Sequence, residues 1–275
     1  MSTNYSALKC VHTSRGPVYY ADGGRGPAVV LIHGSASDLR IWQPVVAALT
    51  QNHRVIAYSR RHHWPNPPPL DEYSFVNDVD DLTEILSALS ISTAHLIAHS
   101  AGGFVAVEFA KRYGKKARSL TLFDPNALGI LSASEAAIVD SERGQWLGPV
   151  RKSLSAGDDK TALRYLLKPL VGRKKLPRWF GSMAKDNVAA LKRQFTSKLA
   201  PPFISCDELK RYPKSILVLQ GGNSPRAFQI VNEALQRCAR DAQLETINRC
   251  GHIFQVDAPG RVSKRITQFL KEQAR

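Results

Sequence analysis

Short apolar runs recur along the chain, and most are followed by a stretch whose apolar residues fall three and four apart. The runs are Ala28–Ile32, Arg54–Tyr58, Ala94–Ala98, Ser119–Phe123, Ser215–Leu219 and Leu244–Ile247. Ala28–Ile32 is continuously apolar, the pattern of a strand buried on both faces, and the others read as further short strands. Helical spacing appears between them, at Trp42, Val45, Val46 and Leu49, and again at Phe75, Val79, Leu82, Leu86 and Leu89. It returns over residues 105–112, 226–237 and at Val262, Ile266, Phe269 and Leu270. Ser74 stands where the second of these helices needs an N-cap. Residues 8–24 alternate loosely around Gly16-Pro17, the pattern of a β-hairpin. Strands alternating with helices give an α/β fold with a mostly parallel, twisted sheet of about eight strands.

That alternation is interrupted once. From residue 127 to 213 the strand-type runs vanish and helical segments take over, at 133–143, 158–170, 180–197 and 206–211, separated by Gly148-Pro149, Gly172, Pro177 and Pro201-Pro202. The pattern therefore divides the chain into an α/β core, residues 1–126 and 214–275, and a helical cap inserted at 127–213. In open α/β sheets ligands bind beyond the carboxyl ends of the strands, and an insertion after a strand falls over that region.

Charge and composition narrow the picture further. The formal net charge is +15, and residues 131–213 carry sixteen Lys and Arg against eight Asp and Glu, so the cap is the most cationic part. No nucleic-acid module and no aromatic interleaving accompany these charges, and nucleic acid is not expected as a partner. The run Arg173-Lys174-Lys175 reads as a solvated helix end. No apolar run is long enough to span a bilayer, and Met1–Tyr5 lacks a signal-peptide plan, so a cytoplasmic location is expected. The four cysteines are widely spaced, which predicts reduced thiols and no zinc site. His62-His63 lacks further ligands at metal spacing. No metal and no cofactor are expected, and nothing indicates the oligomeric state.

The candidate chemistry centres on Ala98-His99-Ser100-Ala101-Gly102, a hydroxyl bracketed by small residues between a strand and a helix. That is the layout of a nucleophile elbow, with alanine in the first small position. His33-Gly34 after an early strand, Tyr58-Ser59-Arg60-Arg61 after the next, and a late Gly251-His252 stand in the matching order. With these pieces spread over some 250 residues, the chain resembles a serine hydrolase of the α/β-hydrolase superfamily carrying a helical cap.

The resemblance implies Ser100 as nucleophile and His252 as its base, because a serine hydroxyl needs a base to take its proton. It implies an oxyanion hole formed by the backbone N–H groups of Ala101 and Ser35. The usual acid is missing from the turn Gly221-Gly222-Asn223-Ser224-Pro225, and the alternative family position after the elbow's neighbouring strand holds Asp124. Asp124 is therefore favoured to orient His252, with Asp257 placed as a cap for the last helix. Trp64, Tyr58 and His99 are expected to contact substrate, with Trp146, Trp179, Phe180 and Phe203 as further aromatic linings. The implied activity is hydrolysis of a small, largely apolar ester or lactone through an acyl-enzyme. Ligand binding without turnover, carbon–carbon bond or thioester hydrolysis, and cofactor-free haloperoxidation stay open. Dehalogenases and epoxide hydrolases of this fold use an aspartate at the elbow, which Ser100 argues against.

Overall fold

The computed structural model describes residues 8–68, 71–171 and 176–273. Strands β1 (Lys9–Thr13) and β2 (Gly16–Gly23) form the expected hairpin, followed by β3 (Ala28–Ile32), α1 (Gln43–Leu49) and β4 (Arg54–Tyr58). Helix α2 (Phe75–Ala88) is capped by Ser74, whose Oγ accepts from the Val76 N–H. Then come β5 (Ala94–His99), α3 (Gly102–Arg112) and β6 (Ala117–Phe123). Between β6 and β7 lie five helices, α4 (Ala133–Ser155), α5 (Asp159–Leu170), α6 (Arg178–Asp186), α7 (Val188–Thr196) and α8 (Cys206–Lys210). The chain closes with β7 (Ile216–Gly221), α9 (Arg226–Cys238), β8 (Ala242–Ile247), α10 (Phe254–Asp257) and α11 (Pro259–Glu272).

The strands form one eight-stranded sheet in the order β1-β2-β4-β3-β5-β6-β7-β8. β1 and β2 join antiparallel, β2 and β4 antiparallel, and every later pairing is parallel. Successive side chains of a strand face opposite ways, so the all-apolar β3 feeds two cores at once. Val30 and Ile32 join the layer built by α2, α3 and α9, while Val29 and Leu31 join the layer of α1, α10 and α11. This doubly covered sheet leaves the carboxyl ends of β3, β5, β6, β7 and β8 side by side at one edge.

The helices between β6 and β7 differ from expectation in two places. α4 continues through Gly148-Pro149 to Ser155. A proline removes one helical hydrogen bond, but Leu147, Val150 and Leu154 are buried against α5, and that packing outweighs the loss. The stretch expected as one helix at 180–197 is two, broken at Asn187. The Asn187 side chain is drawn away to Asp38 Oδ2 at 2.6 Å, to the Met183 carbonyl at 2.8 Å and to the Trp64 N–H at 2.9 Å. Gly172 and the run Arg173-Lys174-Lys175 lie outside the described residues.

The thiols also depart from expectation, since Cys206 on α8 and Cys238 on α9 form a disulfide. Thirty-two residues separate them, and only the docking of α8 on α9 brings them together. No described helix is long and apolar enough to cross a membrane.

The close seating of α3 on the sheet depends on Gly102, where an added Cβ would lie 2.6 Å from the Ile32 carbonyl oxygen and 2.7 Å from that of His33. Both obstacles are backbone. Gly102→Ala should therefore cost about 1–3 kcal/mol of stability despite the higher helix propensity of alanine. An unchanged urea midpoint would show that α3 and β3 do not approach this closely.

Candidate active site

Five strand ends supply the site. β5 ends in Ser100, whose backbone is held at φ 53°, in the left-handed region that costs a residue with a side chain about 1–3 kcal/mol. Its N–H donates to the Phe123 carbonyl at 2.9 Å, and its own carbonyl accepts from the Asn126 N–H at 2.9 Å. The elbow is thus pinned to the end of β6 from both sides. Gly103 permits this, since a Cβ there would lie 2.5 Å from Pro125 Cβ.

β6 ends in Asp124, fully buried and also left-handed at φ 39°. Its carboxylate gathers four partners. His252 Nδ1 lies 3.2 Å from Oδ2, Ser224 Oγ donates to Oδ2 at 2.5 Å, the Gly221 N–H to the same oxygen at 3.4 Å, and Asn232 Nδ2 to Oδ1 at 2.9 Å. Ser224 therefore occupies the turn where an acid is usual and serves the displaced acid as a donor. Asn223 is not among the carboxylate's partners; its N–H donates to the Cys250 carbonyl at 2.8 Å.

His252 follows β8 on a loop tied at two points. Its N–H donates to the Leu170 carbonyl at the end of α5, 2.9 Å away, and the Gly251 N–H donates to Asp257 Oδ2 at 3.3 Å. Asp257 therefore braces the histidine loop, and the last helix has Ala258 at its N-cap. The His252 ring is stacked on Phe228 with centroids 4.1 Å apart and tilted against His99 at 4.6 Å. With Nδ1 directed at Asp124, Nε2 is buried and has no hydrogen-bond partner among the described residues. A neutral imidazole that donates from Nδ1 carries its lone pair on Nε2, and Ser100 and His252 line the same cavity.

His99 donates from Nε2 to the His252 carbonyl at 3.1 Å. Burial and then the neighbouring His252 hold its pKa well below the ordinary histidine value, so it stays neutral.

The loop after β3 is fixed by a buried arginine. The Arg60 N–H donates to His33 Nε2 at 2.9 Å, Arg60 Nε to the His33 carbonyl at 3.1 Å, and Nη2 to the Gly34 carbonyl at 3.0 Å. Its remaining nitrogen, Nη1, reaches Asp78 Oδ2 at 2.8 Å. Burial pushes the Asp78 carboxyl up to about 6 even beside Arg60. Among the described residues neither the Ser35 nor the Ala101 N–H has a protein partner, and Ser35 Oγ is occupied by Gln194 Oε1 at 2.8 Å.

These groups meet at a cavity of about 60 Å³. Ser35, His99, Ser100 and His252 line it from the strand ends, and Trp146, Leu166 and Phe180 from the helices above. Tyr58 and Trp64 do not line it, a correction to the substrate contacts expected of them. Tyr58 is sealed inside the sheet between β2 and β3. Trp64 packs under the Arg40 guanidinium, 3.8 Å from the ring centroid, on the outer side of the loop. Trp179 packs against the core and Phe203 is 62% exposed, so neither lines the cavity. Sequence reasoning missed Ser224, Asn232, Phe228 and Arg143. Ser224 and Asn232 are polar residues placed by the turn after β7 and by α9, and only the fold shows what they face.

A family model described as the alpha/beta hydrolase family matches residues 29–265. A non-heme chloroperoxidase of Kitasatospora aureofaciens is 36% identical over 98 residues, 35% of this chain and 36% of that protein. The chain spans about a quarter to a third of the length of the first curated relatives it matches. A monoacylglycerol lipase of Xenopus laevis is 25% identical over 291 residues, covering 98% of this chain and 81% of its own length. Among solved structures, a membrane phospholipase A superposes with a TM-score of 0.81 at 23% identity, over 99% of this chain and 87% of that one. That last likeness is one of fold.

Burial lowers the pKa of His33, His63 and His99 well below the ordinary value, and holds His62 and His95 at about 4. A depressed native pKa means the unfolded chain binds protons that the native one refuses. Stability from these groups is present above about pH 6.5 and is lost as pH falls toward 4, by about 1.4 kcal/mol per pH unit for each fully shifted histidine. The raised Asp78 and Asp81 work in the opposite sense, two groups against six, since burial also lowers His53. Unfolding free energy should therefore drop by at least about 2 kcal/mol between pH 7.5 and pH 5. A flat profile in urea titrations would contradict the neutral, buried state of these imidazoles.

Proposed function

The chain belongs to the alpha/beta hydrolase family, and on that premise we propose that it is a serine hydrolase of small esters or lactones, with Ser100, His252 and Asp124 as its triad. The supporting observation is the Asp124 carboxylate 3.2 Å from His252 Nδ1, with Nε2 unpartnered among the described residues and both His252 and Ser100 lining one cavity. The name of the lipase it resembles describes ester hydrolysis, which agrees with this reading.

In the first half-reaction Ser100 Oγ attacks the ester carbonyl carbon while its proton passes to His252 Nε2. Asp124 stabilises the resulting imidazolium. The carbonyl oxygen, now negative, accepts from the Ala101 and Ser35 N–H groups, and each such donor supplies about 3–4 kcal/mol of transition-state stabilisation. The tetrahedral species expels the alkoxide, which takes the proton from His252 and leaves as alcohol, with the acyl group on Ser100. Water then attacks the acyl-enzyme as His252 takes its proton, and the carboxylic acid departs as Ser100 regains its hydrogen.

A cavity of about 60 Å³ is far smaller than the several hundred Å³ typical of sites for larger ligands, so short acyl groups are the substrates it fits. The competing reading, binding without turnover, rested on the absence of a carboxylate at 223–224. Asp124 provides one from the neighbouring strand end.

Wild-type protein should be labelled by a fluorophosphonate probe and should turn over p-nitrophenyl acetate faster than the decanoate. Ser100→Ala should lose both activities, and Asp124→Asn should lower kcat by about 10³–10⁴-fold with an unchanged circular dichroism spectrum. Equal labelling of wild type and Ser100→Ala would overturn the serine assignment. Near-wild-type rates in Asp124→Asn would reduce Asp124 to a turn residue.

A further inference from the structure

One cationic side chain lines the cavity without an ion-pair partner of opposite charge among the described residues. Arg143, on α4, lines it beside Ser100 and His252, and no Asp or Glu is among the lining residues. Its only hydrogen bond among the described residues is from Nη1 to Asn126 Oδ1, at 3.3 Å. No carboxylate lies within ion-pair distance of it among those residues. A guanidinium has five N–H donors, so four are left unengaged. Apolar neighbours adjoin it, for Trp146 and Leu147 flank it on α4 and Phe195 and Phe228 stand in the same wall. Arg143 is only partly buried and none of its nitrogens is both buried and unpartnered, so water solvates its free donors until an anion enters the cavity and takes them.

Two further features favour an anion here. Burial lowers the Arg143 pKa from its ordinary value and the nearby Arg151 lowers it further, with Asp140 acting against them. Arginine nevertheless stays protonated, so the positive charge is poorly screened on its own side. Asn126, the residue that holds the guanidinium, also donates its backbone N–H to the Ser100 carbonyl. Arg143 is therefore linked through Asn126 to the backbone of Ser100, and both residues line the one cavity.

We propose that Arg143 forms an anion subsite and that the preferred substrate is an ester or lactone bearing a carboxylate a few atoms from the bond that is cleaved, such as a half-ester of a short dicarboxylic acid. The planar guanidinium fork matches a carboxylate bidentately, and the apolar wall receives the intervening carbons. This rests on the serine-hydrolase reading of the same cavity.

The test compares monoethyl succinate with ethyl 4-methylpentanoate, in which an isopropyl group replaces the carboxylate. Wild type should favour the anionic ester in kcat/KM by at least about tenfold, and Arg143→Gln should cut that ratio by about tenfold or more. Arg143→Lys, which keeps the charge and loses the fork, should give an intermediate ratio and guards against a folding failure of the glutamine variant. A wild-type ratio near one, or a ratio unmoved by either substitution, overturns the proposal. Calorimetric binding of succinate to Ser100→Ala gives an arm independent of turnover, and adding Arg143→Gln should weaken it about tenfold or more. Succinate binding through Arg143 with neither ester hydrolysed would refute the hydrolase reading and leave the subsite standing. Hydrolysis of both esters with no dependence on Arg143 would do the reverse.

Discussion

The arrangement turns on one buried carboxylate. Asp124 is wholly removed from solvent, where an isolated charge would be prohibitively costly. It is tolerated because His252, Ser224, Asn232 and Gly221 surround it with donors. Those donors come from the histidine loop, the turn after β7 and helix α9, so satisfying one carboxylate fixes three separate pieces of chain around the end of β6. The Ser100 elbow is bonded to that same strand end at the Phe123 carbonyl and the Asn126 N–H. Ser100, His252 and Asp124 are thus referred to a common point, and their spacing is a property of the sheet.

A buried ion pair, Arg60 with Asp78, does comparable work for the loop after β3. Arg60 spends its donors on the His33 and Gly34 carbonyls and on Asp78, which sets the course of the loop that carries Ser35. Above this rigid floor stands a roof of helices inserted between β6 and β7, joined to the floor by the His252–Leu170 backbone bond, the Ser35–Gln194 contact and the Cys206–Cys238 disulfide. The roof contributes Trp146, Leu166, Phe180 and Arg143 to the cavity, and it is there that this chain's selectivity is to be sought.

Much of this was legible before any coordinates. The buried strands announce themselves because both faces of each are apolar, as in Ala28–Ile32, and Ser100, His252 and Asp124 stand at the ends of such runs. What stayed hidden depends on neighbours far away in the chain. Asn187 breaks a helix because Asp38 and Trp64 compete for its side chain, and Pro149 fails to break one because Val150 and Leu154 are buried. The Cys206–Cys238 bridge has no local spacing signal. Tyr58 and Trp64 were misplaced because an aromatic beside a strand end reads the same whether it faces a cavity, the sheet interior or an arginine. Asp257, two residues from the last helix proper, looked like a cap, and the pull of the Gly251 N–H decided otherwise.

The most direct measurement is the tautomer of His252, read from imidazole ¹⁵N shifts in histidine-labelled protein. The account predicts a neutral ring protonated on Nδ1 with a bare Nε2, and a switch to the Nε2–H form in Asp124→Asn, where a side-chain amide can turn its NH₂ toward Nδ1. An Nε2–H tautomer in the wild-type protein, or the same tautomer in both proteins, would contradict the claim that Asp124 prepares His252 as the base for Ser100.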